Sequence, residues 1–299
     1  DLAHLRELAG PAAGRAPHLL YLHENQLSYP RPAREPLDRG FAVAHVASLL
    51  AADAVAFNSR AHRDAMRTEL RAFLDEVPTP RPRGVLARVS PKRTRILPPG
   101  VDLTGFPDPA ARPPGDPPVI AWNHRWEEDK RPSAFARILL DLAERGLDFR
   151  LVLLGPVDQV HPRPLELIRE RLAPRILRDG PARTRAEYVA WLARADLAVS
   201  VASQENFGYA AVEAMAAGAV PLLPNRLSYP ELLTPELLTP KLREALLYGT
   251  DRDLRERLAA WLRDPAPLAA LRRRVMRGAH RHAWDRRVEA LDDWVAQHV

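Results

Sequence analysis

Apolar positions along this chain alternate between two kinds of pattern. Short, nearly unbroken apolar runs are separated by longer stretches in which hydrophobic residues recur every three or four positions. The runs read as strands buried on both faces, and the stretches as amphipathic helices. In the first third, strands are predicted at Leu19–Leu22, Ala54–Phe57 and Ile96–Leu97, with helices over Phe41–Ala52 and Arg60–Leu74. Farther on, strands are predicted at Val119–Trp122, Arg150–Leu154, Arg175–Leu177, Leu197–Val201 and Val220–Leu223. Helices fit between them at Ser133–Arg145, Leu165–Leu172, Arg185–Ala195 and Phe207–Ala217. Strands alternating with helices of about ten residues imply parallel β-α-β units and doubly wound sheets, an α/β fold. The last fifty residues are predicted to be helical throughout.

Two halves are separated by proline. The stretch from Thr104 through Pro118 is too rich in Pro and Gly for a helix or strand interior. It predicts a first domain over residues 1–106, a linker over 107–118 and a second domain over 119–280. A final helix over 281–299, with Trp284 and Trp294 as anchors, would return to the first domain. Asp75–Thr94, rich in Pro and Arg, is predicted to be a mobile loop.

Composition removes several classes of function. With no cysteine among 299 residues, disulfides, iron–sulfur clusters and thiolate zinc sites are excluded. The longest apolar stretch, Phe41–Phe57, is broken by His45, Ser48 and Asp53 and is too short and polar to span a bilayer. No signal peptide is evident, so a cytoplasmic protein that does not engage membranes is expected. No Gly-x-Gly fingerprint, Walker loop, Gly-x-Ser-x-Gly elbow or His-Glu-x-x-His helix occurs. The net charge is +6, and Lys92, Lys130 and Lys241 are the only lysines, so arginine carries the positive charge. Arginine suits bidentate phosphate recognition, while its scatter equally fits compositional bias toward Ala, Arg, Pro and Leu.

Candidate chemistry sits at two predicted strand ends. Asn123-His124-Arg125-Trp126-Glu127-Glu128-Asp129-Lys130 places the cations Arg125 and Lys130 after one strand. Ser203-Gln204-Glu205-Asn206-Phe207-Gly208 precedes a helix carrying Glu213, so Glu205 and Glu213 flank a helix start. Cations and a helix start suit a diphosphate, and carboxylates suit sugar hydroxyls; Phe207 and Gly208 bring bare backbone to the same place. Either fragment alone could be a solvated turn, but together they predict a nucleotide-sugar site. His23 ends the first predicted strand, either as a core-edge histidine or beside the transferred sugar. Asn25-Gln26-Leu27-Ser28-Tyr29-Pro30 is echoed by Asn225-Arg226-Leu227-Ser228-Tyr229-Pro230. The echo reads as a shared turn-to-helix start or as two faces toward an acceptor.

The Arg125–Lys130 spacing and the Glu205/Glu213 pair resemble the retaining GT-B glycosyltransferases of family 4. More narrowly, His23-Glu24-Asn25-Gln26-Leu27-Ser28-Tyr29-Pro30, Phe57-Asn58-Ser59 with His62-Arg63-Asp64, Leu97-Pro98-Pro99-Gly100-Val101-Asp102, Trp122-Asn123-His124-Arg125-Trp126-Glu127 and Leu223-Pro224-Asn225-Arg226-Leu227-Ser228-Tyr229-Pro230-Glu231 are similar to the tRNA-queuosine α-mannosyltransferase family, over about Asp1 to Arg263. The resemblance implies a GT-B fold of two Rossmann-like domains with a deep cleft. It implies transfer of mannose from GDP-mannose onto queuosine in tRNA with retention, and with neither metal nor cofactor. Arg125 and Lys130 would meet the donor diphosphate, Glu205 the mannose hydroxyls and Glu213 the ribose. Phe207 and Gly208 would complete the donor side, and His23 would sit by the sugar. Glu24, Asn25, Asn58, Asn225 and Arg226 would face the acceptor or cleft. Three strands in the first half, where a complete Rossmann-like domain has five or more, lead to the expectation that roughly seventy residues precede this sequence. Asn206 stands where the family more often has an aromatic. Two alternatives stay open: a family 4 transferase with a lipid or saccharide acceptor, and a non-catalytic nucleotide- or RNA-binding relic.

Overall fold

The short apolar runs are strands, and they form two parallel sheets in two separate units. The computed structural model describes residues 1–10, 15–28, 39–76, 84–108, 117–157, 163–234 and 238–298. One unit comprises Asp1–Gly100, Gln204–Phe207 and the residues from Asp285 on; the other comprises Val101–Ser203 and Gly208–Trp284.

In the first unit Leu19–Leu22 (β1), Ala54–Phe57 (β2) and Thr94–Ile96 (β3) pair in that order. Leu19 lies opposite Ala54, and Val55 opposite Thr94. Its helices are Leu2–Leu8 (α1), Arg39–Ala51 (α2), Arg60–Glu76 (α3) and the single turn Val85–Arg88 (α4). Side chains alternate across β2. Val55 and Phe57 enter a core with Leu49, Met66, Leu70 and Phe73. Ala54 and Ala56 face the other way, against Leu97 and Trp294. Two alanines leave room for an indole, and Trp294 fills it at 5% exposure. Trp294 belongs to the terminal helix, Trp284–Ala296, and stands edge-on to Tyr21 with ring centroids 6.5 Å apart.

The second unit holds Val119–Trp122 (β4), Pro132–Glu144 (α5), Arg150–Leu153 (β5), Arg163–Leu172 (α6), Ile176–Asp179 (β6), Arg185–Arg194 (α7) and Leu197–Val199 (β7). Tyr209–Ala216 (α8), Val220–Pro224 (β8), Tyr229–Leu232 (α9), Pro240–Leu246 (α10), Leu247–Tyr248 (β9), Asp251–Arg263 (α11) and Ala266–His280 (α12) follow. Every neighbouring strand pair is parallel, in the order β6-β5-β4-β7-β8-β9. The chain winds outward from β4 to β6, then returns to lay β7 on the other side of β4. The loops leaving β4 and β7 therefore diverge at the point where the strand order reverses. Doubly wound sheets bind their ligands there.

Several segments differ from the sequence pattern. Val85 and Val89 are buried, so the end of the Pro- and Arg-rich stretch folds as α4; residues 77–83 lie outside the described residues. The division falls at Gly100, not at 106, because Val101 is tied into the second unit. Its amide donates to His282 O at 2.8 Å, and its carbonyl accepts from Trp284 N at 3.0 Å. Residues 109–116 of the expected linker lie outside the described residues. Helix α8 begins at Tyr209 because Gly208 sits at φ 108°, left-handed backbone in which a helix cannot continue. The elements α9, α10 and β9 had no clear periodic signal; they are short, and their pattern is blurred by Pro230 and Pro240.

Candidate active site

At the carboxyl end of β4 the chain makes a tight turn, Asn123–Arg131, wedged by aromatics. Trp122 stacks on Phe135 with centroids 4.3 Å apart and lies 5.3 Å from Trp126. His124 is buried with them, and burial first, then the Lys130 charge, pushes its imidazole down to about 3. The turn rests on the next loop: a Cβ at Gly155 would lie 1.8 Å from His124 O, so only glycine fits.

The two cations of this turn are held differently. Lys130 Nζ lies 3.0 Å from Asp129 Oδ2, with the two side chains 12% and 3% exposed. Asp129 O accepts from Ser203 N at 2.8 Å and from Ser203 Oγ at 3.1 Å, which joins the loops after β4 and β7. Arg131 follows at φ 52°, a conformation that costs a non-glycine residue about 1–2 kcal/mol. Its bidentate pair with Asp251, at 3.1 and 2.7 Å, offsets that cost. Arg125 reaches outward, 48% exposed, and pairs with Glu127 at 3.2 Å.

Glu213, on α8, is the centre of a network that the sequence did not disclose. Arg185 Nη1 donates to its Oε1 at 2.7 Å, and the Tyr188 hydroxyl donates to its Oε2 at 2.7 Å. Asn123 Nδ2 donates to the Tyr188 oxygen at 3.0 Å and to Ala210 O at 2.9 Å. Arg185 Nη2 donates to Asp102 O at 2.5 Å, and its guanidinium lies over Phe106 and Tyr188, 5.0 and 5.4 Å from the centroids. Burial, reinforced by the Glu213 charge, raises the Tyr188 phenol and keeps its proton in place. The only sequence signal for this arrangement was the position of Arg185 and Tyr188 three apart on one helix face.

Beyond β8, Asn225 is exposed and donates its backbone amide to Tyr248 O at 2.8 Å. Arg226 Nη2 donates to Ala202 O at 3.0 Å. Beneath them the Ser200 and Tyr229 hydroxyls are 2.6 Å apart, and Tyr248 OH donates to Ser200 O at 2.7 Å.

The first unit gathers its own polar cluster at the carboxyl ends of β1 and β2. His23 O accepts from Asn58 Nδ2 at 3.3 Å and from Asn206 Nδ2 at 3.1 Å. The His23 ring is exposed and lies 4.1 Å from that of Tyr21. Asn25 is fully buried, and its Oδ1 accepts from Leu27 N at 3.1 Å. Ser59 Oγ donates to Asn206 O at 2.8 Å and accepts from His62 N at 3.0 Å. Gln204 Nε2 donates to Ser28 Oγ and to Asn206 Oδ1, both at 3.2 Å. Asn206, odd by sequence, is thus the residue that fastens this segment. Glu205 is half-buried, Phe207 buried and Glu24 exposed. His62 is 1% exposed, and burial pushes its imidazole down to about 4. Tyr29 and Pro30 of the first repeat copy lie outside the described residues.

The expected residues therefore divide. Arg125, Lys130, Gly208, Glu213, Asn225 and Arg226 belong to the second unit; His23, Glu24, Asn25, Asn58, Glu205 and Phe207 belong to the first. Among the described residues no three His, Asp or Glu side chains converge as metal ligands, and no helix is long and apolar enough to cross a membrane.

Comparisons with known proteins agree with this architecture. A sucrose-phosphate synthase from Thermosynechococcus elongatus superposes with a TM-score of 0.68 at 21% identity, over 93% of this chain and 67% of that one. Anabaena HepE in complex with UDP and glucose gives 0.64 at 16% identity, over 96% and 73%. The fold is GT-B. Residues 131–293 match the glycosyl transferase-like family profile, and residues 1–101 match the tRNA-queuosine alpha-mannosyltransferase N-terminal profile. A GDP-mannose:cellobiosyl-diphosphopolyprenol alpha-mannosyltransferase of Xanthomonas campestris is 29% identical over 150 residues, 49% of this chain and 38% of that protein. A tRNA-queuosine alpha-mannosyltransferase of Drosophila melanogaster is 31% identical over 271 residues, 87% of this chain and 69% of its own length. With both matched profiles and this extended identity, the chain belongs to the tRNA-queuosine alpha-mannosyltransferase family.

Proposed function

We propose that this protein is a retaining glycosyltransferase that moves mannose from GDP-mannose onto the queuosine of tRNA. The observation that carries the reading is the Asn123–Tyr188–Glu213–Arg185 network, set beside the Arg125–Lys130 turn where the strand order reverses. A carboxylate with a fixed orientation suits the vicinal hydroxyls of a nucleotide ribose. Cations on the turn that Asn123 opens suit the diphosphate. The Drosophila relative's name supports tRNA as acceptor, and the Xanthomonas relative's name supports GDP-mannose as donor.

In this reading the bond from the anomeric carbon to the diphosphate oxygen breaks while a bond to the acceptor oxygen forms on the same face. The acceptor proton passes to the departing phosphate. Arg125 and Lys130 stabilise the charge that grows on that phosphate, so neither a metal nor a protein nucleophile is required. Glu205 takes the mannose hydroxyls, with Phe207 and Gly208 beside it, and His23 lies near the sugar. Glu24, Asn225 and Arg226 are assigned to the acceptor, and the buried Asn25 and Asn58 to holding the backbone of Leu27 and His23. The test is transfer of radiolabelled mannose from GDP-mannose to queuosine-containing tRNA by the full-length protein, with unmodified tRNA as control. Label on the modified tRNA alone is expected; no label on it with intact GDP binding would remove the acceptor assignment.

One observation favours a second acceptor class. Helix α2 leaves Phe41, Val43 and Leu50 exposed, and Val43 and Leu50 fall on one face of it, apolar surface that suits a lipid-linked acceptor. Transfer to a polyprenol-linked saccharide in the same assay, with none to tRNA, would decide for it.

A further inference from the structure

Helix α12 presents two opposite faces. Leu268, Leu271, Arg272, Val275, Met276 and Ala279 are buried. Arg272 Nη2 lies 2.8 Å from Asp196 Oδ1, with both side chains buried, and both its Nη atoms reach Ala195 O at 3.3 Å. This pair fixes the helix to the sheet. The next two residues of the same run, Arg273 and Arg274, point outward, and Arg277 falls between them in angle. At 100° per residue the three span roughly 100° of the helix. All three are exposed, and α12 contains no Asp or Glu.

Several arginines of this unit are matched to carboxylates: Arg131 to Asp251, Arg145 to Glu256, Arg169 to Asp179 and Arg257 to Asp253. Arg137, Arg171 and Arg263 are exposed and stand singly without such a partner among the described residues, whereas α12 groups three on one face. Arg273, Arg274 and Arg277 have no ion pair or hydrogen bond with any described residue. The helix dipole favours a cation in the last turn, which accounts for Arg277; Arg273 and Arg274 stand farther back. The helix also leads toward the candidate site. It packs on α8, the helix of Glu213. Just past its end Arg281 donates to Leu232 O at 2.9 Å and to Thr234 Oγ1 at 2.5 Å, in the segment that follows β8.

We propose that the Arg273–Arg274–Arg277 face of α12 binds the phosphate backbone of the tRNA acceptor, an inference that rests on the tRNA reading above. Three unmatched guanidiniums on a rigid helix offer bidentate bonds to phosphate with little ordering cost. An anionic membrane would want bulky apolar side chains at the edge of the basic face. None of the exposed large hydrophobics among the described residues lies on α12.

The test compares full-length wild type with the triple variant R273Q/R274Q/R277Q. Binding of queuosine-containing tRNA is followed by fluorescence anisotropy over about 50–200 mM salt. The triple variant is expected to bind at least about tenfold more weakly, with the slope of log K against log salt flattened by about 2. GDP affinity and the melting temperature stay at wild-type values, and R273K/R274K/R277K keeps most of the slope. Unchanged tRNA affinity and slope in the glutamine variant would overturn the proposal. So would binding to phosphatidylserine vesicles that the variant loses while its tRNA binding stays intact. Arginine-dependent tRNA binding without mannose transfer supports the surface and instead sinks the functional reading.

Discussion

The Tyr188 hydroxyl donates a hydrogen bond to Glu213 Oε2 across 2.7 Å, and the same hydroxyl accepts from Asn123 at the end of β4. A carboxylate at the reversal of the sheet is thereby aimed by a group whose own orientation is set by the neighbouring strand. Tyr188→Phe removes both bonds and little volume. The expected result is a loss of about 1–2 kcal/mol in GDP binding, roughly five- to thirtyfold in Kd. Isothermal calorimetry with GDP measures it, and an unchanged Kd would separate Glu213 from the nucleotide.

Arg125 and Lys130 should part company on substitution. Arg125 is exposed, so Arg125→Ala should leave the denaturant midpoint alone and cost about 2–4 kcal/mol in kcat/KM. Lys130→Ala removes the partner of a buried Asp129 carboxylate. That variant should lose about 3–5 kcal/mol of stability as well as activity. Equal stability of the two variants would contradict the difference in burial.

Legibility in the sequence followed burial. Strands such as Val119–Trp122 and Ala54–Phe57 are buried at every position, so their apolar runs showed them directly. The alternation of elements pointed to parallel, doubly wound sheets, though not to the order of their strands. The partners of Glu213 stayed hidden because Arg185 and Tyr188 come to it from another element, 28 and 25 residues earlier, through folding and not through spacing. Likewise Gln204 drew no reading of its own and Asn206 drew one only as a departure from the family, yet they make hydrogen bonds that hold this segment in the first unit. The left-handed Arg131 and the close approach at Gly155 carry no periodic signature at all.

Acid should weaken the fold through two histidines. His124 and His62 have folded values of about 3 and about 4, below the ordinary 6.5. The unfolded chain therefore binds more protons, and stability is complete above about pH 6.5 and declines as pH falls toward those folded values. His124→Leu is expected to flatten the fall of melting temperature between about pH 6.5 and 3. A profile parallel to wild type would show that His124 is not a source of the acid lability.

The buried Arg272–Asp196 pair gives a stability test. Arg272→Ala takes the counter-charge from Asp196 at 0% exposure and should cost about 3–5 kcal/mol. Adding Asp196→Ala removes the stranded charge but orphans the Val119 amide, which now donates to Asp196 Oδ2 at 2.9 Å. The double variant should therefore recover part of the loss and remain about 1–3 kcal/mol below wild type in urea titration.

Trp294 covers the alanine face of a sheet whose last strand ends at Ile96. On the ribosome nearly two hundred residues, the second unit among them, must emerge before that indole does. Until then Ala54, Ala56 and Leu97 wait uncovered, and a sheet made early is among the last parts to be finished. A premature stop or a proteolytic nick ahead of Trp284 would thus injure a sheet that lies far earlier in the chain. Surveillance of the nascent chain would find its exposed surface there.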